Sequence, residues 1–269
     1  MNETVRRVAC ELVVSVVEPA RLSLQVAPSD AEPGIEEFLE VVSDGRPVST
    51  TEVWVPGNGR VHICSPPPGR VEITYRATLT GRAPEPVVTD ADRIVYRRPS
   101  RYAESDRLAP IAQTEFNGIT DPVELLAAVS SWVGTQLTYV PRSSGPTDGS
   151  VDTMLKRKGV CRDYAHLVIA LLRAMDVPAR LAAVYAPGLD PMDFHAVAEA
   201  AIGDTWRVTD ATLLAPRASL VRICTGRDAG DTAFLSTYGG QADLLDSTVY
   251  ATIDGDLPGD DVHELVALT

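Results

Sequence analysis

The chain has 269 residues, enough for one large or two modest domains with a sizeable core. Its apolar fraction of 45% and charged fraction of 23% are ordinary for a globular protein, and its formal net charge is −13 with a pI near 4.7. An acidic surface of that size argues against nucleic acid and anionic membrane as partners, since both bind through basic patches.

At the N-terminus Arg6-Arg7 prompts the question of export, but Glu11 and Glu18 interrupt the apolar stretch that follows, so a signal-peptide core is not expected. No apolar run reaches the length of a membrane span. Cys10, Cys64, Cys161 and Cys224 lie far apart, with no zinc-knuckle or C-x-x-C spacing. The expectation is a cytoplasmic protein with reduced thiols and no metal or cofactor. Its oligomeric state is not readable from the sequence.

Residues 8–80 read as strands. The segments around Val13–Val17, Leu22–Val26, Phe38–Val42, Val53–Val55, Val61–Cys64 and Val71–Leu79 are β-branched or alternating. Asp44-Gly45, Pro56-Gly57-Asn58-Gly59 and Pro66-Pro67-Pro68-Gly69 supply the turns between them. Residues 1–82 are therefore expected to form a sandwich-like all-β domain, and the proline-bearing stretch 83–115 a connector. Arg93, Arg97, Arg98 and Arg101 in that connector offer either an anion-binding patch or, as charge runs usually do, a solvated face.

Residues 116–269 are read as a catalytic domain with a C-terminal extension. Asp121-Pro122-Val123-Glu124 carries a helix-capping pattern with proline at the first helical position. A short helix from about residue 150 is expected to close at Gly159 in the left-handed conformation. The next helix opens at once. Val160, Tyr164, Leu167, Val168, Leu171, Leu172 and Met175 recur at three- and four-residue spacing and define one buried face. Three strands follow, at 179–186, 195–202 and from 205 toward 212, with Gly203-Asp204 as the turn of a hairpin. The acidic tail (Asp254, Asp256, Asp260 and Asp261) reads as solvated surface, with a short strand at 248–253.

Three residues in this region carry chemistry. Cys161 stands at a helix start, where the dipole favours thiolate and free backbone N–H groups can receive an oxyanion. If Ile202 pairs with Thr205, paired positions sum to 407, which puts Asp210 opposite Val197 and diagonal to His195 on one face. A carboxylate on one imidazole nitrogen fixes the tautomer and leaves the other nitrogen for a nucleophile. Each residue also has an ordinary structural reading: a small buried hydrophobe for Cys161, a satisfied histidine for His195, an Asx-type cap for Asp210. Their order, the helix start and the shared face together favour a Cys-His-Asp triad for acyl transfer.

At these residues the chain resembles the transglutaminase-like superfamily, and in particular its bacterial cysteine protease members. Their pattern G-V-C-x-D-[FY]-A-H-L corresponds to Gly159 to Leu167, and P-A-R followed by a tyrosine to Pro178-Ala179-Arg180 with Tyr185. Their H-A-W-x-E corresponds to His195-Ala196-Val197-Ala198-Glu199, and W-x-x-x-D-P-T to Trp206 through Thr212. Gly226-Arg227-Asp228 matches a later G-R-D, and the N-terminal strands resemble the region that precedes the catalytic core in bacterial members. The resemblance implies an α+β fold, a papain-like core of helices packed on an antiparallel sheet behind an all-β sandwich. It also implies Cys161 as nucleophile, His195 as general base and acid, and Asp210 as orienting carboxylate. Val197 and Ala211 depart from the usual tryptophan and proline.

Tyr139, Val197 and Trp206 are the candidates for the oxyanion site and substrate pocket, Asp163 and His166 for structural roles within the motif. The expected activity is cysteine-dependent acyl transfer on amide bonds of peptide or protein substrates through a thioester, hydrolytic rather than crosslinking. The alternative is a catalytically silent peptide-binding module of the same fold. A Cys161 sulfur out of reach of His195, with no groove leading to it, would favour that alternative.

Overall fold

In the computed structural model, residues 4–29 and 35–269 are described. The N-terminal strands are β1 (Val5–Val16), β2 (Arg21–Leu24), β3 (Glu36–Ser43), β4 (Arg46–Pro47), β5 (Thr51–Val55), β6 (Gly59–Cys64) and β7 (Gly69–Thr80). Their alternation buries one face. Val8, Cys10, Leu12, Val14 and Val16 of β1 and Val71, Ile73, Tyr75, Ala77 and Leu79 of β7 point inward.

Helices α1 (Asp90–Val95), α2 (Ser105–Phe116) and α3 (Pro122–Gln136) follow, then β8 (Thr138–Tyr139), α4 (Ser150–Lys156), β9 (Lys158–Gly159) and α5 (Cys161–Ala174). Strands β10 (Ala179–Tyr185), β11 (Phe194–Ile202), β12 (Thr205–Thr209) and β13 (Val221–Gly226) form an antiparallel sheet in the order β12-β11-β10-β13. The apolar stripe of α5 packs on Leu181, Ala198 and Ala200 of this sheet, and Leu108, Ala112, Phe116, Val129 and Val133 of α2 and α3 complete that layer. Helices on an antiparallel sheet behind a β-sandwich is the α+β architecture expected.

The strand pairing divides the chain differently from the expected boundaries. The last two strands, β14 (Leu235–Tyr238) and β15 (Ala242–Ile253), leave the catalytic region and complete the sandwich. Its sheets run β15-β1-β7-β3-β4 and β14-β2-β6-β5. Residues 116–269 are thus not one unit, because β15 pairs antiparallel along β1 from Arg6↔Ile253 to Val16↔Ala242. Nor is 83–115 a loose connector. It contains α1 and α2, and the buried Arg173 of α5 pins it by donating to the Arg98 carbonyl and the Ser100 hydroxyl, 3.0 Å each.

Three of the four connector arginines are engaged within the protein: Arg93 with Asp204 at 2.8 Å, Arg97 with Asp176 at 3.3 Å, and Arg101 over the Tyr102 ring. The acidic tail is also more than solvated surface. Asp254 pairs with Arg7, and Asp260 accepts from the backbone and guanidinium of Arg217.

The sandwich and the sheet β12-β11-β10-β13 share one core. Tyr185, Val221, Ile223 and Cys224, from β10 and β13, are buried among Leu12, Leu22, Leu24 and Val26 of the sandwich, and the Tyr185 hydroxyl donates to the Val26 carbonyl at 2.7 Å.

Candidate active site

The turn into α5 explains the residues around Cys161. Helix α4 closes on Arg157, which takes the left-handed conformation at φ 53° that the sequence reading assigns to Gly159. Gly159 instead lies in β9, paired parallel with Tyr139, and is needed for space. A Cβ there would come within 2.7 Å of the Asp163 Cβ. Asp163 uses that close approach to cap the helix, accepting from the Val160 amide at 2.8 Å and from the Ser144 hydroxyl at 2.8 Å. Cys161 is therefore the first residue of a helix whose start is clamped by its own third residue, and its thiol is partly exposed.

The hairpin has the predicted register, with Ile202↔Thr205 through Ala198↔Thr209. Just beyond the ladder, His195 Nε2 and Asp210 Oδ2 lie 2.7 Å apart, both side chains almost fully buried. The other Asp210 oxygen accepts from the amide (2.9 Å) and hydroxyl (2.6 Å) of Thr212. The Asx-type turn and the imidazole partner foreseen as alternatives are thus the same carboxylate. His195 and Cys161 line the same cavity. Burial on its own would lower the His195 pKa, but the Asp210 charge and hydrogen bond, with a smaller contribution from Cys161, raise it to about 10.

Tyr139 is brought to this point as well. It pairs in register with Gly159, two residues before Cys161. Burial, with Cys161 and Asp193 nearby, pushes the Tyr139 hydroxyl up to about 12, so it keeps its proton near neutral pH.

Val197 and Trp206 are not brought to the pocket. Val197 packs under the sheet with Ala182, Val184, Val208 and Leu220. Trp206 is fully buried beneath the Arg180 guanidinium, 4.0 Å from its ring centroid, with Tyr96 edge-on. Arg180 in turn pairs with the buried Glu199 at 2.7 Å, and Arg222 meets the same carboxylate at 2.7 Å. The P-A-R and H-A-x-x-E segments are thereby joined by a buried ion pair across two adjacent strands, at Arg180↔Glu199 in the register.

His166 is structural. Burial lowers its pKa to about 3; it accepts from the Ala229 amide at 3.1 Å and stacks on Tyr102.

A cavity of about 350 Å³ opens beside Cys161 and His195. Phe194, Ile223, Phe234 and Leu235 form much of its wall. None of the four was singled out by the sequence, and Phe194, beside His195 in a strand, was the only one with a local signal. A larger cavity of about 680 Å³ lies on the sheet β14-β2-β6-β5 and touches neither Cys161 nor His195. Among the described residues no cluster of His, Cys, Asp and Glu is arranged to hold a metal, and no helix is long and apolar enough to cross a membrane.

Residues 110–211 match the family model of the transglutaminase-like superfamily core. Over the whole molecule, the fold superposes on a crystallised Cytophaga hutchinsonii protein, provisionally named a cysteine protease, with a TM-score of 0.89. The two are 32% identical, the match covering 98% of this chain and 96% of that one. The chain belongs to the transglutaminase-like superfamily. A Mycobacterium leprae relative, the uncharacterized protein ML0607, is 29% identical over 142 residues, and that match spans about half of each protein, 49% of this chain and 51% of the relative. The match is to a family of cysteine-dependent enzymes, and Cys161, His195 and Asp210 lie where this chain's helix α5 and its β11-β12 hairpin meet.

Proposed function

We propose that this protein cleaves amide bonds of peptide or protein substrates through a thioester on Cys161, with His195 as proton carrier and Asp210 as the group that orients and charges it. The observation that supports this most is the buried His195–Asp210 pair, 2.7 Å apart, lining one cavity with a cysteine at a helix start. A cavity that opens on both Cys161 and His195 favours this reading over a silent binding module.

In this reading the imidazolium, held charged by Asp210, stabilises the Cys161 thiolate. Sulfur attacks the amide carbon, and the carbonyl π pair moves to oxygen. The Cys161 amide, in the first turn of α5 with no carbonyl of its own helix to bond, receives that oxyanion, and the neutral Tyr139 hydroxyl acts as a second donor in this reading. The C–N bond breaks as His195 delivers its proton to the leaving amine. His195 then takes a proton from water, the hydroxide attacks the thioester carbon, and the thiolate leaves with the imidazole again protonated. A primary amine in place of water would give transfer; hydrolysis is preferred because the Cytophaga hutchinsonii neighbour is provisionally named a protease.

The test is a broad amide and peptide screen with wild type and Cys161→Ala, with and without added primary amine. Turnover that vanishes in the variant and releases free carboxylate is the expected result. Turnover surviving in Cys161→Ala, or Cys161 alkylated by iodoacetamide near neutral pH no faster than in the unfolded chain, would overturn it.

A further inference from the structure

The cavity beside Cys161 is built from two sources. Cys161, Leu181, Phe194 and His195 come from the catalytic helix and sheet, whereas Phe234 and Leu235 come from the segment that enters the sandwich as β14. Phe194 and Phe234 stack across this junction, with centroids 4.6 Å apart. Gln25 of the sandwich also lines the cavity, but its amide is engaged by Asn58, whose own amide donates to the Thr225 and Asp231 carbonyls at 2.7 Å each. Thr232 turns its hydroxyl to the Asp228 carbonyl. Arg162 sends Nη2 to Ser144 and Gly145, with Asp163 3.6 Å away.

A neutral polar side chain entering this space would give up water and find Gln25 and Thr232 already bonded, with the remaining Arg162 donors suited to an acidic group, which is costly; an apolar one gains its transfer free energy. We infer that the cavity is the side-chain pocket for the acyl-donor residue, that it selects a large apolar or aromatic side chain over glutamine or a charged one, and that the sandwich is present in part to build its far wall. This rests on the reading of Cys161 as nucleophile, and the two can fail separately.

The experiment uses the full-length Cys161→Ala protein, which cannot turn substrate over. Calorimetry compares capped tripeptide amides that differ only in the residue carrying the carbonyl: Phe, Leu, Gln, Glu or Lys. The Phe and Leu peptides should bind about 10- to 100-fold more tightly than the other three, the range that apolar pockets deliver. Introducing Ala233→Phe, a half-buried loop position in the lining, should fill the space and erase that preference, while Phe234→Ala should widen it and favour the largest side chains. Circular dichroism confirms that both variants are folded.

Equal binding of all five peptides overturns the inference, as does a preference that survives Ala233→Phe. Tightest binding of the Glu peptide also overturns it and would make Arg162 the recognition group. Iodoacetamide labelling of wild-type Cys161 is scored independently: a slow thiol with intact apolar selection removes the nucleophile and leaves the pocket standing.

Discussion

Asp210 does two things that usually fall to different residues. One oxygen closes the turn after β12 through Thr212, and the other holds His195. The turn bond fixes the carboxylate before any substrate arrives, which is why a single buried charge can keep the imidazole protonated against its own desolvation. In Asp210→Asn the raising charge is gone and burial remains, so the His195 pKa should fall from about 10 to below its ordinary value. Two consequences follow. NMR titration of the imidazole should show protonation lost before neutral pH in the variant, and turnover should drop by about three to four orders of magnitude, as when the charge partner of a catalytic histidine is neutralised elsewhere.

The same pair sets a stability window. Because the folded pKa lies above the unfolded one, its contribution is complete below about pH 6.5 and disappears as pH rises through about 10. Denaturant midpoints of wild type should decline across that interval, and those of Asp210→Asn should lack the decline. The pairing of His195 with Asp210 was legible in the sequence, because a two-residue turn and the alternation of side chains together dictate which residues are diagonal. The cavity wall was not. Parity along a strand tells which residues share a face, and Val197 does share one with His195, but the pocket is closed by loop and sandwich residues on which parity is silent.

At the scale of elements, the start of α5 depends on Gly159 and Asp163 together. A methyl at Gly159 would push against the Asp163 Cβ and displace the carboxylate that caps Val160. Gly159→Ala should cost about 1–3 kcal/mol, as overpacking in a closed site does. It should also slow Cys161 alkylation; a variant unchanged in both unfolding midpoint and alkylation would remove this account. The sequence marked Gly159 correctly as special and assigned the wrong reason, since glycine serves both left-handed φ and close approach and the letter does not say which.

Strands β10, β11 and β13 hold a second such unit, the Arg180–Glu199–Arg222 cluster. Burial disfavours the Glu199 charge, yet Arg180 and Arg222 hold its pKa below the usual range. Its contribution is therefore present above about pH 4.5 and lost as pH falls. Glu199→Gln leaves two arginines facing a neutral amide in the core, and equilibrium unfolding should show a loss of about 3–5 kcal/mol.

For the whole molecule, the sandwich and the catalytic region cannot be cut apart at residue 82. The fragment 1–82 lacks β14 and β15, which exposes the edge of β1 and half of a shared core. It should give the narrow amide dispersion of an unfolded chain by NMR, and a fragment from 83 onward should fare no better, because Tyr185, Val221 and Ile223 would lose their cover. A folded 1–82 fragment would contradict the shared core. Nothing local in the sequence announces this return. Alternation in 248–253 marks a strand and a buried face, but a strand pattern carries no address for its partner.

That return has a consequence for the timing of synthesis. β1 sits inside the five-stranded sheet, between β7, made soon after it, and β15, made long afterwards. While the ribosome is still working, β1 offers a bare strand edge beside β7, with one apolar face, the kind of surface that recruits chaperones or neighbouring nascent chains. The strand that finally covers it follows directly on the segment that completes the wall beside Cys161. A growing chain therefore carries the Cys161 thiol without a finished groove until Phe234 and Leu235 have been made.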